Sequence, residues 1–443
     1  MTSLEALTGW GLTAPALTRV VEPDPAGLAG ALATGTAIAR GMGRGYGDCA
    51  VAGGGTTVST RAMRTIAIHD GVLDVEAGAS LEEVMKVAVP EGWFVPVTPG
   101  TRFVTVGGAI ASDIHGKNHH RDGTFGQHVE ELSVMLANGE LRTVSPSSDP
   151  RLFWATVGGM GLTGVITRAR VRMTPISTSL MRTVTHRVRN IDELMRAMVR
   201  ADDEHRYSVA WVDTLATKKS LGRSVLSLGD HATLDELSPK QRRDPLVYEP
   251  MQRLSAPRVV PAGLLNPLTV RAFNEGWYRK APAKPKQSIE TVSAFFHPLD
   301  GVANWNRIYG RRGFVQYQFV VPDSASQMIP RVLERLADER VPAFLTVLKR
   351  FGDANQGMLS FPSRGWTLAV DIPAGVDDLD ETLDELDDEV VEAGGRVYLA
   401  KDSRMHPRHL PAMYPRLAEF RAVRAEVDPE GRCASNLSRR LGL

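Results

Sequence analysis

The sequence predicts an α+β protein of two or three domains. Three observations carry this. Glycine-rich loops punctuate short strand candidates up to about residue 175. From about residue 180 the glycine runs thin out and strands alternate with helices, the pattern of an antiparallel or mixed sheet with helices over one face. A chain of 443 residues is also long for one hydrophobic core.

Hydrophobic residues make up 43% and charged residues 23%, an ordinary balance for a soluble globular protein. A net charge of +1 excludes global attraction to nucleic acid or anionic lipid and leaves only a local basic patch open. Cys49 and Cys433 form neither a metal-ligand spacing nor a disulfide framework, so no metal is expected and a reducing compartment is the default. Residues 1–10 contain Glu5 and lack the basic and apolar regions of a secretory leader. No run approaches the ~18 apolar residues of a membrane span. The expectation is a cytoplasmic or peripherally membrane-associated protein, with signal-independent export to the periplasm or cell envelope left open.

Residues 1–35 carry Pro15, Pro23 and Pro25 and read as an extended lead-in. Thr36-Ala-Ile-Ala-Arg40 is a strand that runs into Gly41-Met-Gly-Arg-Gly-Tyr-Gly-Asp48, a phosphate-loop candidate. Residues 71–77 alternate as a strand, and Ser80 with Glu83 forms a capping box that opens a helix to about Val89. Residues 131–137 and 140–144 flank Asn138-Gly139, a hairpin with a type I′ signal. Gly159, Gly161 and Gly164 satisfy G-x-G-x-x-G, but a helix precedes them and a strand follows, the reverse of a dinucleotide-binding Rossmann turn. Asn190 caps a helix to about Glu204. Residues 217–288, rich in Arg, Lys and Pro, read as a solvated mobile loop or as a flap docking on anionic lipid or a phosphorylated substrate.

The central stretch runs from Pro99 to His120. Its Gly107-Gly108 pair lets backbone approach a ligand closely, and consecutive free N–H groups suit a pyrophosphate. Its end, Ser112-Asp-Ile-His-Gly-Lys-Asn-His-His120, would place proton-handling groups beside whatever is bound. Gln316 and Gln318 share one strand face, where two amides can read sugar hydroxyls or sit on an exposed surface. A strand over residues 396–400 delivers Lys401-Asp-Ser-Arg404, with Lys401 flanked by Tyr398 and Asp402. An acidic helix over about 376–392 and a final helix over about 414–427 complete the chain.

These glycine loops resemble the FAD-binding domain of the vanillyl-alcohol oxidase / p-cresol methylhydroxylase (PCMH) superfamily. The Ser112 to His120 run, Leu152-Phe-Trp-Ala-Thr-Val-Gly-Gly159, Gln316-Tyr-Gln318 and Ala400-Lys-Asp-Ser-Arg404 resemble, within it, the oxidase subunits of decaprenylphosphoryl-β-D-ribose 2′-epimerases. The resemblance implies a two-lobed PCMH-type FAD-binding domain over 1–178, to which 397–443 returns, and a substrate domain over 179–396. It implies non-covalent FAD. Arg40, Gly41, Gly43, Arg44, Gly45, Tyr46, Gly47 and Asp48, with Thr105, Val106, Gly107 and Gly108, would form the loops around its pyrophosphate and ribityl parts. Gly100, Ser112, His115, Ile166 and Tyr398 fall at further FAD contacts.

The implied reaction removes hydride from an alcohol carbon while its hydroxyl loses a proton. Lys401 is the first candidate to bind that hydroxyl or take its proton, and His115 and Tyr46 are the second. Lys117, Trp211, Gln316, Gln318, Lys349 and Lys401 would bind substrate, with Lys117 or Lys349 on the phosphate. The substrate implied is a polyprenylphosphoryl ribose, and the partner an NAD(P)H-dependent keto-reductase. Ala369, Thr367 and Phe296 stand where relatives carry Cys, Asn or Tyr. An aldonolactone or alditol oxidase of the same fold and a non-catalytic flavoprotein scaffold are the competing readings.

Overall fold

The computed structural model describes residues 2–443 apart from residues 253, 258, 259 and 262. Three sheets of four or more strands carry the described residues, beside two two-stranded ones. The first has the strand order Thr2–Leu7, Ala16–Val21, Thr56–Ser59, Ala37–Arg40, with the outer hairpin antiparallel and the inner contacts parallel. The second is antiparallel throughout, in the order Ile66–His69, Val72–Glu76, Val165–Arg172, Val129–Met135, Leu141–Val144. Helix Val106–Ala111 packs on this second sheet.

The third sheet has eight strands, all antiparallel: Lys286–Thr291, Leu180–Val188, Ser224–His231, Tyr207–Val212, Thr346–Phe351, Gly365–Pro373, Phe314–Val321 and Arg396–Val397. Helices Ile191–Glu204 and Leu379–Glu392 pack on one face. Facing them, Leu348, Leu368, Val370 and Phe319 are wholly buried, each contributing about 1.5–3 kcal/mol by leaving water. The opposite face carries a cross-strand row in which successive register partners are Gln318, Ala369, Val347, Trp211 and Val225. Period-2 alternation thus sends apolar side chains to the helices and this row to the ligand side.

After the third sheet the chain returns to the first. Ala37 N–H donates to Arg432 O (2.8 Å), Asn436 N–H donates to Val51 O (2.8 Å), and helix Leu417–Val427 packs on helix Pro150–Thr156.

Local signals in the sequence act as written at several points. Ser80 and Glu83 form both bonds of a capping box at helix Leu81–Ala88, and Asn190 caps Ile191–Glu204 through Glu193 N–H. Gly159–Gly164 joins helix Pro150–Thr156 to strand Val165–Arg172.

Four expectations need correction. The stretch read as an extended lead-in over 1–35 instead forms, from residue 2 on, a β-hairpin and a short helix, Leu28–Leu32. The turn at Asn138-Gly139 has only Gly139 at positive φ (+86°), and Gly139 N–H donates to Leu136 O, so it is a type I turn closed by a left-handed glycine. Residues 217–288 are not one mobile loop: Ser224–His231 is an interior strand and Pro267–Lys280 a helix capped by Asn266. The strand before Lys401 ends at Val397, because Lys401 and Asp402 N–H both turn back to Tyr398 O.

Candidate active site

A cavity of about 980 Å³ lies between the glycine loops and the open face of the eight-stranded sheet. That is near the upper end of the ~300–1,000 Å³ typical of ligand pockets. One wall is built from residues 41–46, 98–101, 111–112 and 114–117, the other from the sheet row and helix Pro267–Lys280. Of the residues the sequence singled out, Gly41, Gly43, Arg44, Gly45, Tyr46, Gly100, Thr105, Gly107, Gly108, Ser112, His115, Ile166 and Tyr398 line it. So do Lys117, Trp211, Gln316, Gln318, Lys349 and Lys401.

Arg40, Gly47, Asp48 and Val106 stand behind the lining. The Arg40 guanidinium donates to Thr8 O (2.8 Å) and Ala50 O (3.2 Å), tying the loop to the chain start. Asp48 pairs with Arg440 at 3.0 Å. A Cβ at Gly47 would lie 1.7 Å from Asp402 O, so only glycine allows the loop to meet the Lys401 segment.

The two glycine loops differ in what they offer an anion. The amides of Gly41, Met42, Gly43 and Arg44 have no acceptor among the described residues. Those of Val106 and Gly107 donate to Ala79 O and Ala77 O (2.8 Å each), and that of Gly108 donates to Thr105 Oγ1 (3.2 Å). Backbone N–H groups at 106–108 are therefore spent on helix capping and sheet contact, contrary to the expected pyrophosphate role. What glycine supplies there is close packing: a Cβ at Gly107 would lie 2.8 Å from Ala77 Cβ, and one at Gly41, in the other loop, 2.1 Å from Thr105 Oγ1. The 41–44 amides, with Arg44 above Trp10 (3.7 Å to the ring centroid), fit the pyrophosphate of a dinucleotide. His115 and Tyr398 line the same cavity and fit the edge of a planar ring system.

The cluster at 112–120 divides. His115 and Lys117 line the cavity. Asp113, at φ +40°, turns inward and accepts from Gly126 N–H (3.0 Å), Asn355 Nδ2 (2.6 Å) and Ser360 Oγ (2.5 Å), latching this stretch to residues 355–360. Asn118 donates to Pro96 O, His119 Nδ1 accepts from Gly352 N–H, and His120 Nε2 meets His205 O. Those last three side chains serve the fold.

His115 is 6% exposed, in edge contact with Phe351 (4.7 Å) and tilted against Tyr398 (5.3 Å). Burial, reinforced by Lys349, His119 and Lys401, holds its pKa well below the ordinary value, so the ring is neutral. Gln318 Nε2 sits 3.0 Å from His115 Nε2 and 3.2 Å from Thr367 Oγ1. With Gln318 donating, the His115 proton resides on Nδ1. Tyr398 O–H donates to Ser112 O at 2.7 Å.

Lys401 Nζ lies 3.5 Å from the centroid of the Tyr46 ring. Burial pulls its pKa down, partly opposed by Asp371. Asp371 is 1% exposed, accepts from Gln316 Nε2 and faces the Tyr309 hydroxyl. Burial pushes its carboxyl up. Each member of this pair is thus driven toward its neutral form. Lys349 is lowered to about 8 by burial. Lys117 is lowered to about 7 by burial and by Lys349, while its ammonium donates to Phe295 O and sits 4.2 Å from the Phe295 ring centroid. None of the three lysines forms a salt bridge among the described residues.

Asp371, Tyr309 and Glu290 were not singled out from the sequence, and Lys280 stood out only as part of the basic segment 217–288. Asp371 had a signal, an acid inside the apolar run Leu368-Ala-Val-Asp-Ile372. Tyr309 had none; its buried hydroxyl faces the Asp371 carboxyl and its ring stacks on Phe314 at 4.0 Å.

Comparison with known proteins agrees with this geometry. An FAD-binding-domain profile matches residues 23–145, and a D-arabinono-1,4-lactone oxidase profile matches residues 376–441. The chain is 43% identical to decaprenylphosphoryl-β-D-ribose oxidase of Mycolicibacterium smegmatis, over 100% of this chain and 98% of that protein. It is 40% identical to an uncharacterized protein of Streptomyces coelicolor over 82% of this chain and all of that one. Cytokinin dehydrogenase 4 of Arabidopsis thaliana is 35% identical over 30% of this chain and 27% of its own length. With an end-to-end match at that identity around a cavity of this form, the chain belongs to the decaprenylphosphoryl-β-D-ribose oxidase family and is an FAD-dependent oxidoreductase.

Proposed function

We propose that this chain oxidises the 2′-hydroxyl of a polyprenylphosphoryl-β-D-ribofuranose to the 2′-keto sugar. This is the first half of an epimerisation to the arabinofuranose donor for cell-wall arabinan, completed by an NAD(P)H-dependent keto-reductase. The observation that carries the reading is the convergence on one cavity of Lys401 with Lys117 and Lys349, neither of which has a salt-bridge partner among the described residues. Such cations favour a bound phosphate over an uncharged ligand.

Bound FAD supplies the acceptor for the hydride that leaves C2′. Lys401, its proton affinity reduced by burial, binds the 2′-oxygen and in its neutral form takes the hydroxyl proton on Nζ. Gln316 ties the Lys401 side of the cavity to Asp371, and Gln318 fixes His115 in one tautomer. Lys349 and Lys117 hold the phosphate, and Trp211, whose indole N–H donates to Phe344 O (3.3 Å), closes the sheet side against water. His115 is the only histidine lining the cavity among the described residues, and Gln318 engages its Nε2, which supports non-covalent FAD.

The lactone-oxidase profile over residues 376–441 favours a second reading, an aldonolactone or alditol oxidase. That reading leaves the Lys117–Lys349 pair without a task. The test is anaerobic addition of a short-chain prenylphosphoryl ribose to flavin-loaded protein. Flavin bleaching that Lys401→Ala abolishes, with flavin still bound, supports the proposal. Bleaching by an aldonolactone or alditol alone transfers the assignment to the second reading.

A further inference from the structure

Gln318 has one polar atom free for the cavity, and two neighbours decide which. Thr367 is wholly buried in strand Gly365–Pro373, behind the lining. Its hydroxyl carries one hydrogen, which it donates to Phe319 O at 2.8 Å. Toward Gln318, 3.2 Å away, Thr367 Oγ1 can therefore only accept, so the amide atom that meets it is Nε2. The same nitrogen lies 3.0 Å from His115 Nε2, in a ring that burial keeps neutral. Both amide hydrogens are then spent, one on each neighbour. Oε1 has no donor among the described residues and is left for whatever fills the cavity that Gln318 lines.

His115 alone does not fix this arrangement. A neutral imidazole donates from Nε2 in one tautomer and accepts there in the other, so it matches an amide in either orientation. Thr367 breaks that symmetry, because its hydrogen is committed elsewhere. We infer that Thr367 is a positioning residue that locks the Gln318 amide with its carbonyl oxygen toward the ligand, and that this oxygen accepts a hydrogen bond from a second sugar hydroxyl. Phosphate oxygens are excluded from that point, since an acceptor facing an acceptor leaves both unpaired. The inference rests on the proposed function, under which Lys401 takes the 2′-hydroxyl. Tyr398 N–H donates to Gln318 O and Lys401 N–H to Tyr398 O (2.9 Å each), so the amide and the lysine hang on one short stretch of backbone. The hydroxyl read beside Lys401, a donor throughout the reaction, is the 3′- or the 5′-hydroxyl of the ribose.

The lock is tested without substrate, by nitrogen NMR of labelled histidine rings in the flavin-loaded chain, the His115 signals being those absent from His115→Gln. A protonated Nδ1 and a bare Nε2 are expected in the parent and in Thr367→Ser, which keeps the hydroxyl. Thr367→Val keeps the shape without the hydroxyl and should show a mixture of both tautomers; loosened packing alone gives the proton no reason to change nitrogen. A parent protonated at Nε2, or Thr367→Val with the parent's tautomer, overturns the lock. The hydroxyl is tested by inhibition constants of the 3′- and 5′-deoxy and fluoro analogues of short-chain prenylphosphoryl ribose, set beside the KM of the ribose compound. At one of the two carbons both replacements should weaken binding about 10- to 100-fold, because neither hydrogen nor fluorine donates to the stranded carbonyl. In Gln318→Met, which offers no acceptor, the same replacements should cost less than about threefold. A deoxy or fluoro analogue bound as tightly as the ribose compound at both carbons, or a penalty that survives in Gln318→Met, overturns the hydroxyl assignment. A parent that binds none of these compounds overturns the functional reading and that assignment together, while the ring spectrum stands or falls on its own.

Discussion

Replacing Lys349 with methionine should stabilise the ligand-free site and weaken substrate binding at once. Lys349 sits in the sheet row beside Thr367, half-buried and without a counter-ion among the described residues. Burial lowers its pKa from 10.5 to about 8. At 1.36 kcal/mol per unit this corresponds to at most about 3 kcal/mol of stability lost by enclosing the ammonium, an upper bound because cavity water reaches it. The folded pKa lies below the unfolded one, so the unfolded chain holds the proton more tightly. The penalty is complete below about pH 8 and disappears as pH rises toward 10.5. Lys349→Met keeps the stem and removes the charge. Urea unfolding should show the variant more stable at pH 7 by up to about 3 kcal/mol, with the gap closing toward pH 10. Losing one charge-assisted contact to phosphate should raise KM for prenylphosphoryl ribose about 10- to 100-fold. A variant that is less stable at pH 7, a gap that ignores pH, or an unchanged KM would refute the reasoning.

Lys401→Met should retain flavin and lose substrate-driven bleaching, whereas parent turnover should fall as pH drops, since protonating Nζ removes its proton-accepting lone pair; a flat acidic limb of kcat would exclude Lys401 as the base. In the parent, KM should climb above about pH 7–8 as Lys117 and Lys349 lose their protons, read from initial rates at constant ionic strength. Asp113→Ala strands the donors of Gly126, Asn355 and Ser360 and should cost about 3–5 kcal/mol in denaturant unfolding, while a loss under ~1 kcal/mol would show the latch to be dispensable. Gly41→Ala drives a methyl into Thr105 Oγ1 and should lower flavin affinity at least tenfold in a titration of apoprotein; unchanged affinity would remove the 41–44 loop from the cofactor reading.

The amino-acid sequence by itself determined the local features whose physics is short-range. The Ser80 and Asn190 caps, the helix-to-strand glycine turn before Val165 and the alternation at 314–321 act through bonds spanning a few residues. The motif resemblance also indicated Lys401, His115, Lys117 and the two glutamines, because chemistry restricts which residue types can stand there. Which polar residues of one run face a ligand was decided only by tertiary structure. Asp113, Asn118, His119 and His120 are as polar as His115 and Lys117, yet Asp113 is held by Ser360, Asn118 by Pro96 as well as nearby Asp122, His119 by Gly352 and His120 by His205, partners that lie outside the run. The spent amides of 106–108 depend likewise on Ala77 and Ala79 arriving beside them. Strand Ser224–His231 was hidden in a basic, proline-rich segment because its order comes from neighbours on both sides, Leu180–Val188 and Tyr207–Val212. Cross-strand pairing joins residues by register rather than by distance along the chain, so the row from Gln318 through Ala369, Val347 and Trp211 to Val225 exists only once the sheet has formed.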